Sequence, residues 1–225
     1  MDYHSGNIQG NMLESAVIIC NGAFPRKEYP RYLIDSADIV VCCDGALVTL
    51  ERHGITPDVV IGDMDSVCRR ALARFDGKKV RIDEQETNDL TKAFNYLMEN
   101  HPGVNSIHII AASGKNEAHT IANYSLLMEY ESRFKLFEKG VTLDMVSDYS
   151  TAFAISDSAS IHIGKGRRIS IFSPDTTLKI TSEGLEWQTS AVTFDNWWKA
   201  SLNIASTDEV KLAFNHPSKV LIILD

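Results

Sequence analysis

The chain has 225 residues, enough for one large domain or two small ones with a sizeable core, and its formal charge of −8 excludes a nucleic-acid scaffold, which needs dense Lys/Arg surfaces. A small anionic nucleotide is not excluded, since a metal, a few backbone N–H groups and one or two basic side chains suffice to hold it. Four cysteines, with Cys42 and Cys43 adjacent in an apolar run and no Cys-x-x-Cys spacing, exclude a disulfide or zinc framework and lead us to expect a reducing, cytoplasmic setting; residues 1–11 are polar with no apolar signal core, and no run is long enough to cross a bilayer.

Taken in order, the first half alternates short β-branched runs with longer helical patterns, as parallel α/β units do. Strands are expected at 16–20, 38–43, 59–61, 79–82, 106–112 and 142–146. Helices are expected at 45–53, 67–75, 89–100 and 119–133, with Ser66 and Thr87 or Asn88 as N-caps and Pro102-Gly103 as a stop. In the segment from Asp89, Leu90, Ala93, Phe94 and Leu97 recur at helical spacing and mark its buried face. Near Ser147 the rhythm changes. Short alternating segments follow at 159–163, 168–172, 177–181, 210–215 and 220–224, separated by Gly, Pro, Asp and Ser, which reads as a small all-β unit with its boundary at 148–156.

Pro57-Asp58-Val59-Val60-Ile61-Gly62-Asp63-Met64-Asp65-Ser66 is an apolar run ending in two carboxylates one residue apart. Such a pair repels itself unless a cation sits between, and Mg²⁺, which takes carboxylate, water and phosphate oxygens, suits it. Read alone, the stretch fits equally a solvated strand end whose Ser66 caps a helix. In a parallel α/β sheet, ligands sit outside the carboxyl ends of the strands, and the residues there form a consistent set. They are Asn21-Gly22, Asp44-Gly45, Asp63 and Asp65, Gln85, Thr87 and Asp89, and Ser113-Gly114-Lys115. Individually each has an ordinary reading: Asp44-Gly45 as a helix start, Asp89 as a first-turn acid, Gly114-Lys115 as a common loop, and His119 as a cap or packing residue.

Four groups of residues carry a resemblance in order and spacing over nearly the whole chain. They are Gly62-Asp63-Met64-Asp65-Ser66, Gln85-Glu86-Thr87-Asn88-Asp89-Leu90-Thr91-Lys92, Gly114-Lys115 followed by His119-Thr120-Ile121-Ala122-Asn123, and Asn196-Trp197-Trp198 with Ser201-Leu202-Asn203. Together they resemble the motifs of thiamine pyrophosphokinases. The resemblance implies an α/β, parallel-sheet, Rossmann-like catalytic domain (1–148) that binds ATP and Mg²⁺. A β-sandwich domain for thiamine binding and dimerisation would follow (149–225). It also implies transfer of the pyrophosphoryl group of ATP to the hydroxyl of thiamine, in a homodimer with the thiamine site at or near the interface. Mapped onto this chain, Asp63, Asp65 and Asp89 would be the catalytic metal ligands, with Asp44, Gly45, Gln85, Thr87, Gly114, Lys115 and His119 around the nucleotide. Trp197, Trp198, Ser201 and Asn203 would line the thiamine pocket, a flat aromatic and hydrogen-bonding edge suiting a pyrimidine. Where the family pattern has Arg and Asp, this chain has Asn116 and Ala118. A binding homologue with weakened catalysis, or a pyrophosphokinase for another alcohol such as a pterin, is the alternative.

Overall fold

The computed structural model describes residues 14–225, so the expectation for residues 1–11 lies outside the described residues. The first half runs β1 (Glu14–Ile19), α1 (Glu28–Ser36), β2 (Ile39–Cys43), a 3₁₀ turn (Asp44–Ala46), α2 (Leu47–Arg52), β3 (Val59–Gly62), α3 (Arg69–Arg74), β4 (Lys78–Arg81), α4 (Asp89–Asn100), β5 (Val104–Ile110), α5 (Glu117–Phe134) and β6 (Thr142–Val146). The second half is all strand: β7 (Thr151–Ile155), β8 (Ala159–His162), β9 (Arg168–Phe172), β10 (Ile180–Glu183), β11 (Asn203–Ile204), β12 (Glu209–Phe214) and β13 (Val220–Leu224).

Strands β4-β3-β2-β1-β5-β6 pair parallel, with consecutive strands stepping one way from β1 to β4 and the other way from β5 to β6. The reversal falls between β1 and β5, where doubly wound sheets open a crevice. β1, β2 and β3 are near-continuous apolar runs because both faces are covered. Ala16, Ile18, Val41, Cys43, Val59 and Ile61 pack against Leu90, Phe94 and Leu97 of α4 and Leu127 of α5. Their alternates Val17, Ile19, Val40, Cys42 and Val60 pack against Leu33 and Ile34 of α1, Leu47 and Leu50 of α2, and Ala71 of α3.

The large sheet does not stop at β6. β7 pairs antiparallel with β6, β13 with β7, β9 with β13 and β11 with β9, giving ten strands in one sheet. Residues 148–156, expected to carry the boundary, are therefore mostly β7, and the backbone ladder runs straight through them. A separate antiparallel sheet, β10-β12-β8, faces the second half of the large one. The apolar run Val220–Leu224 shows how β13 is shared. Ile222 and Leu224 point into the core beneath the small sheet, with Ile161, Ile180 and Val210, while Leu221 and Ile223 join the layer under α4 and α5.

Two expectations shift locally. Helix α1 was not among the expected helices; its Pro30 occupies the first turn, where the backbone N–H has no intrahelical partner to lose. Ser66 does not cap a helix. Its hydroxyl donates to Asp65 Oδ1 (3.0 Å), and α3 starts after Cys68. Asn88, by contrast, caps α4 as expected, its Oδ1 accepting from the Thr91 N–H (2.9 Å). No helix among the described residues is long and apolar enough to cross a membrane.

Candidate active site

Side chains gather at the carboxyl rim of the parallel strands, and the local backbone explains why. Asp44 opens the turn after β2 and is almost wholly buried, with 1% exposure. Gly62 at the end of β3 makes room for it: a Cβ there would lie 2.7 Å from Asp44 Cγ. The next residue but one, Met64, takes the left-handed conformation (φ 67°) and donates its N–H to Asp44 Oδ2 (2.9 Å). That turn sets Asp63 and Asp65 on either side of Met64, and Asp63 Oδ1 accepts the Asp65 N–H (3.1 Å). Ligand atoms of Asp44, Asp63 and Asp65 all lie within 4.8 Å of one another.

Electrostatics follow from these positions. Burial and the nearby Asp89 raise the Asp44 pKa. Asp63 is half-buried, and the Gln85 amide (Nε2 to Oδ2, 2.9 Å) with the Asp65 N–H brings its pKa down to about 2. Burial raises that of Asp89, with Lys92 opposing and Asp63 and Asp65 adding to the rise. Asp44 Oδ1 is buried without a hydrogen-bond partner among the described residues. A buried, unpartnered carboxylate oxygen inside a group of hard oxygen donors is what a Mg²⁺ ion fits.

Beside the acids, at the switch between β1 and β5, two loops close on each other. Gly22 donates its N–H to the Ala111 carbonyl (2.5 Å) and Ala23 to that of Ser113 (2.7 Å). Only glycine fits at position 22, since a Cβ would lie 2.2 Å from the Ala111 oxygen. Lys115 reaches across, its Nζ donating to Asn21 Oδ1 (3.2 Å). The 18-residue helix α5 begins immediately after, and its N-cap is Asn116, whose Oδ1 accepts the His119 N–H (3.0 Å). Its first turn directs backbone N–H groups and a positive dipole end toward this loop, an arrangement that favours anions.

Of the expected site residues, the fold brings Asp44, Gly45, Asp63, Asp65, Gln85 and Asp89 to one rim, with Gly114 and Lys115 beside them. Asp89 stands outside the close trio, its Oδ1 held by Lys92 (3.4 Å). Thr87 turns away: its N–H and hydroxyl both donate to the Glu84 carboxylate. His119 lies in the first turn of α5.

The four aromatic-loop residues sit elsewhere. Trp197 tilts against Phe172 at the end of β9 (5.9 Å between ring centres), and Trp198 is 69% exposed. The Ser201 hydroxyl donates to the Trp198 carbonyl (2.7 Å). Asn203 is buried, its amide spent on the backbone of Trp187 (accepting from N, 3.1 Å; donating to O, 2.6 Å) and on the Ile204 N–H (2.8 Å). Asn203 thereby fixes Trp187, an exposed aromatic that reading the sequence passed over; Lys92, quoted there within a motif but given no role of its own, is buried. Only the position of Lys92, three residues after Asp89 on a helix, could have flagged it.

A family model of the thiamin pyrophosphokinase catalytic domain matches residues 30–137, and a model of the thiamin pyrophosphokinase substrate-binding domain matches residues 151–222. A comparison with curated protein sequences gives no match. Among solved structures, the chain resembles the thiamine pyrophosphokinase of Bacillus subtilis (TM-score 0.73, 18% identity, covering 94% of this chain and 99% of that one). It also resembles thiamin pyrophosphokinase from Candida albicans (0.74, 14%, 94% and 88%) and from yeast (0.74, 14%, 96% and 88%). At these identities the likeness is one of fold. With both domain models matching in order across most of its length, the chain belongs to the thiamin pyrophosphokinase family.

Proposed function

We propose that the protein transfers the pyrophosphoryl group of ATP to the hydroxyl of thiamine, with Mg²⁺ held by Asp44, Asp63, Asp65 and Asp89. The observation carrying this reading is the preformed carboxylate group with its buried Asp44 Oδ1, unpartnered among the described residues, next to the phosphate-suited loops at the β1/β5 switch. When bound, the ion would neutralise phosphate charge. Backbone N–H groups at Gly114 and the start of α5, with the Lys115 ammonium, hold and orient the phosphates, and Gln85 keeps Asp63 aimed at the rim. The thiamine hydroxyl oxygen forms a bond to the β-phosphorus, the bond from that phosphorus to the α-bridging oxygen breaks, AMP leaves, and the hydroxyl proton passes to a rim carboxylate or water. Such transfers depend on alignment and charge neutralisation more than on a covalent nucleophile.

Residues 1–148 serve ATP and Mg²⁺ in this reading, and residues 149–225 serve thiamine and dimerisation. Sheet register supports a site shared between two copies. Asn203 pairs with Ile169, Ile169 with Leu224, Leu224 with Thr151, Thr151 with Val146, Val146 with Ile110, Ile110 with Ile19, and Ile19 with Cys42, next but one before Asp44. That row crosses seven strand spacings, roughly 30 Å along the sheet. Trp197, Trp198, Ser201 and the Asn203-held Trp187 therefore cannot meet the carboxylates of their own chain on one small substrate, and a second copy supplies them in a homodimer.

Incubating the protein with ATP, Mg²⁺ and thiamine should produce AMP and thiamine diphosphate in equal amounts. Thiamine binding with neither product would leave a binding protein and end the catalytic reading. Faster turnover of a pterin alcohol than of thiamine would end the substrate assignment.

A further inference from the structure

Lys92 is the feature that the proposed reaction leaves unused. It is 4% exposed, lies on α4 one turn beyond Asp89, and its ammonium has Asp89 Oδ1 (3.4 Å) as its one hydrogen-bonding partner among the described residues. A buried ammonium is costly unless well paired, and an apolar side chain of the same length packs such a position at less cost. One long contact is poor compensation, so packing does not account for a lysine here.

The surroundings fix the direction in which Lys92 points. Asn88 caps the helix start, the Thr91 hydroxyl bonds the Tyr130 hydroxyl (2.8 Å), and the Phe94 ring stacks on that of Tyr130 (4.1 Å). These contacts hold the first turns of α4 against α5, and the buried Lys92 head group lies on Asp89. It engages only Oδ1. Asp89 Oδ2 keeps no hydrogen bond among the described residues, at the edge of the group formed by Asp44, Asp63 and Asp65.

We propose that Lys92 is a positioning residue of the transfer site: it holds the Asp89 carboxylate in one orientation, so that the free oxygen is presented to the cation before nucleotide arrives. The proposal rests on the rim being a divalent-metal site. Partners that orient a metal ligand typically influence metal affinity by about 10–100-fold.

The test is Mn²⁺ binding to nucleotide-free protein, followed by the electron paramagnetic resonance of the free ion. Lys92→Met should bind Mn²⁺ about 10–100-fold more weakly than wild type while melting at the same or a higher temperature. Turnover should fall at limiting Mg²⁺ and recover at saturating Mg²⁺, with KM for ATP then unchanged. Wild-type Mn²⁺ affinity in this variant overturns the proposal. So does a raised KM for ATP at saturating metal, which would make Lys92 a direct phosphate contact. Should Lys92→Met fail to fold, Asp89→Asn and the double variant Lys92→Met/Asp89→Asn are compared: equal Mn²⁺ affinities support action through Asp89, and a difference overturns it. Asp63→Asn separates the two layers of the argument. If it binds Mn²⁺ like wild type, the metal reading itself fails; if it loses Mn²⁺ while Lys92→Met does not, only the role of Lys92 fails.

Discussion

The carboxylate rim and the aromatic loop are built in opposite ways. At the rim, Asp44 is buried, Gly62 and Met64 are bent around it, and Gln85 and Lys92 restrain the flanking acids, all within one chain. In the loop, Trp187, Trp197, Trp198 and Leu202 are largely exposed, and the buried Asn203 is consumed in holding backbone. A charge site can be completed by short-range backbone contacts. A site for a flat, partly apolar ring needs two walls, and this loop supplies one.

The contrast can be broken most directly at the rim. Asp63→Asn and Asp65→Asn should each lower turnover by at least about 100-fold, the scale expected when a group that stabilises developing charge is lost, with the melting temperature essentially unchanged because Asp65 is exposed and Asp63 only half-buried. Near-normal turnover in either would remove the metal assignment. The loop is tested by mixing two inactive variants, Asp63→Asn and Trp198→Ala, under conditions that exchange subunits. If each site takes its carboxylates from one copy and its aromatics from the other, half of the dimers are mixed and each has one intact site, so activity should return to about a quarter of wild type. No recovery would place the whole site within a single chain.

Protonation sharpens the electrostatic half of the comparison. Asp44 and Asp89 have folded pKa values above the ordinary carboxylate range, so their charges destabilise the fold increasingly as pH rises from that range through the raised values. A bound divalent ion offsets that cost. The rise in melting temperature on adding Mg²⁺ should therefore be largest at pH 8 and shrink as pH falls toward 5; a gain that does not change with pH would count against these two acids facing the ion.

A control lies away from the rim, where Ser106, His108 and Asp144 form a hydrogen-bonded row across β5 and β6 (Ser106 Oγ to His108 Nε2, 2.8 Å; His108 Nδ1 to Asp144 Oδ1, 2.7 Å). Burial pushes the His108 pKa down, but the hydrogen bond and charge of Asp144 more than offset this and leave it raised. The pair's contribution is thus fully present below the unfolded histidine value of about 6.5 and is lost as pH rises through the folded one. His108→Gln should cost about 1–3 kcal/mol at pH 5.5, and less at pH 8.5, in denaturant titrations, without altering Mn²⁺ affinity. The smallest expected effect is at Asn116. Asn116→Arg removes an N-cap and should cost about 1 kcal/mol, of which adding Ala118→Asp in the first turn should return a few tenths through the helix dipole.

Much of this was legible in the chain itself. Short β-branched runs marked the parallel strands, helical-period spacing marked α4, and the residues after each strand marked the rim, because side-chain spacing and strand direction are local properties. Thr87 and Ser66 went elsewhere because nearby acceptors, Glu84 and Asp65, captured their hydroxyls at short range. The joining of β6 to β7 was not legible. A five-residue apolar run does not say which sheet it enters, and Val220–Leu224 is apolar throughout only because α5 covers one face of β13 and the small sheet the other.

What the sequence determined by itself was the strand–helix alternation of the first half, the change to short strands after Ser147, the acids at the strand ends and the family motifs, all encoded in spacing along the chain. Tertiary structure alone decided that Asp44, rather than Asp89, closes the tight trio, that Lys92 is buried on Asp89, and that the aromatic loop lies seven strands from the carboxylates. These depend on distances between residues far apart in the chain, which sheet register and packing set and which no local pattern records.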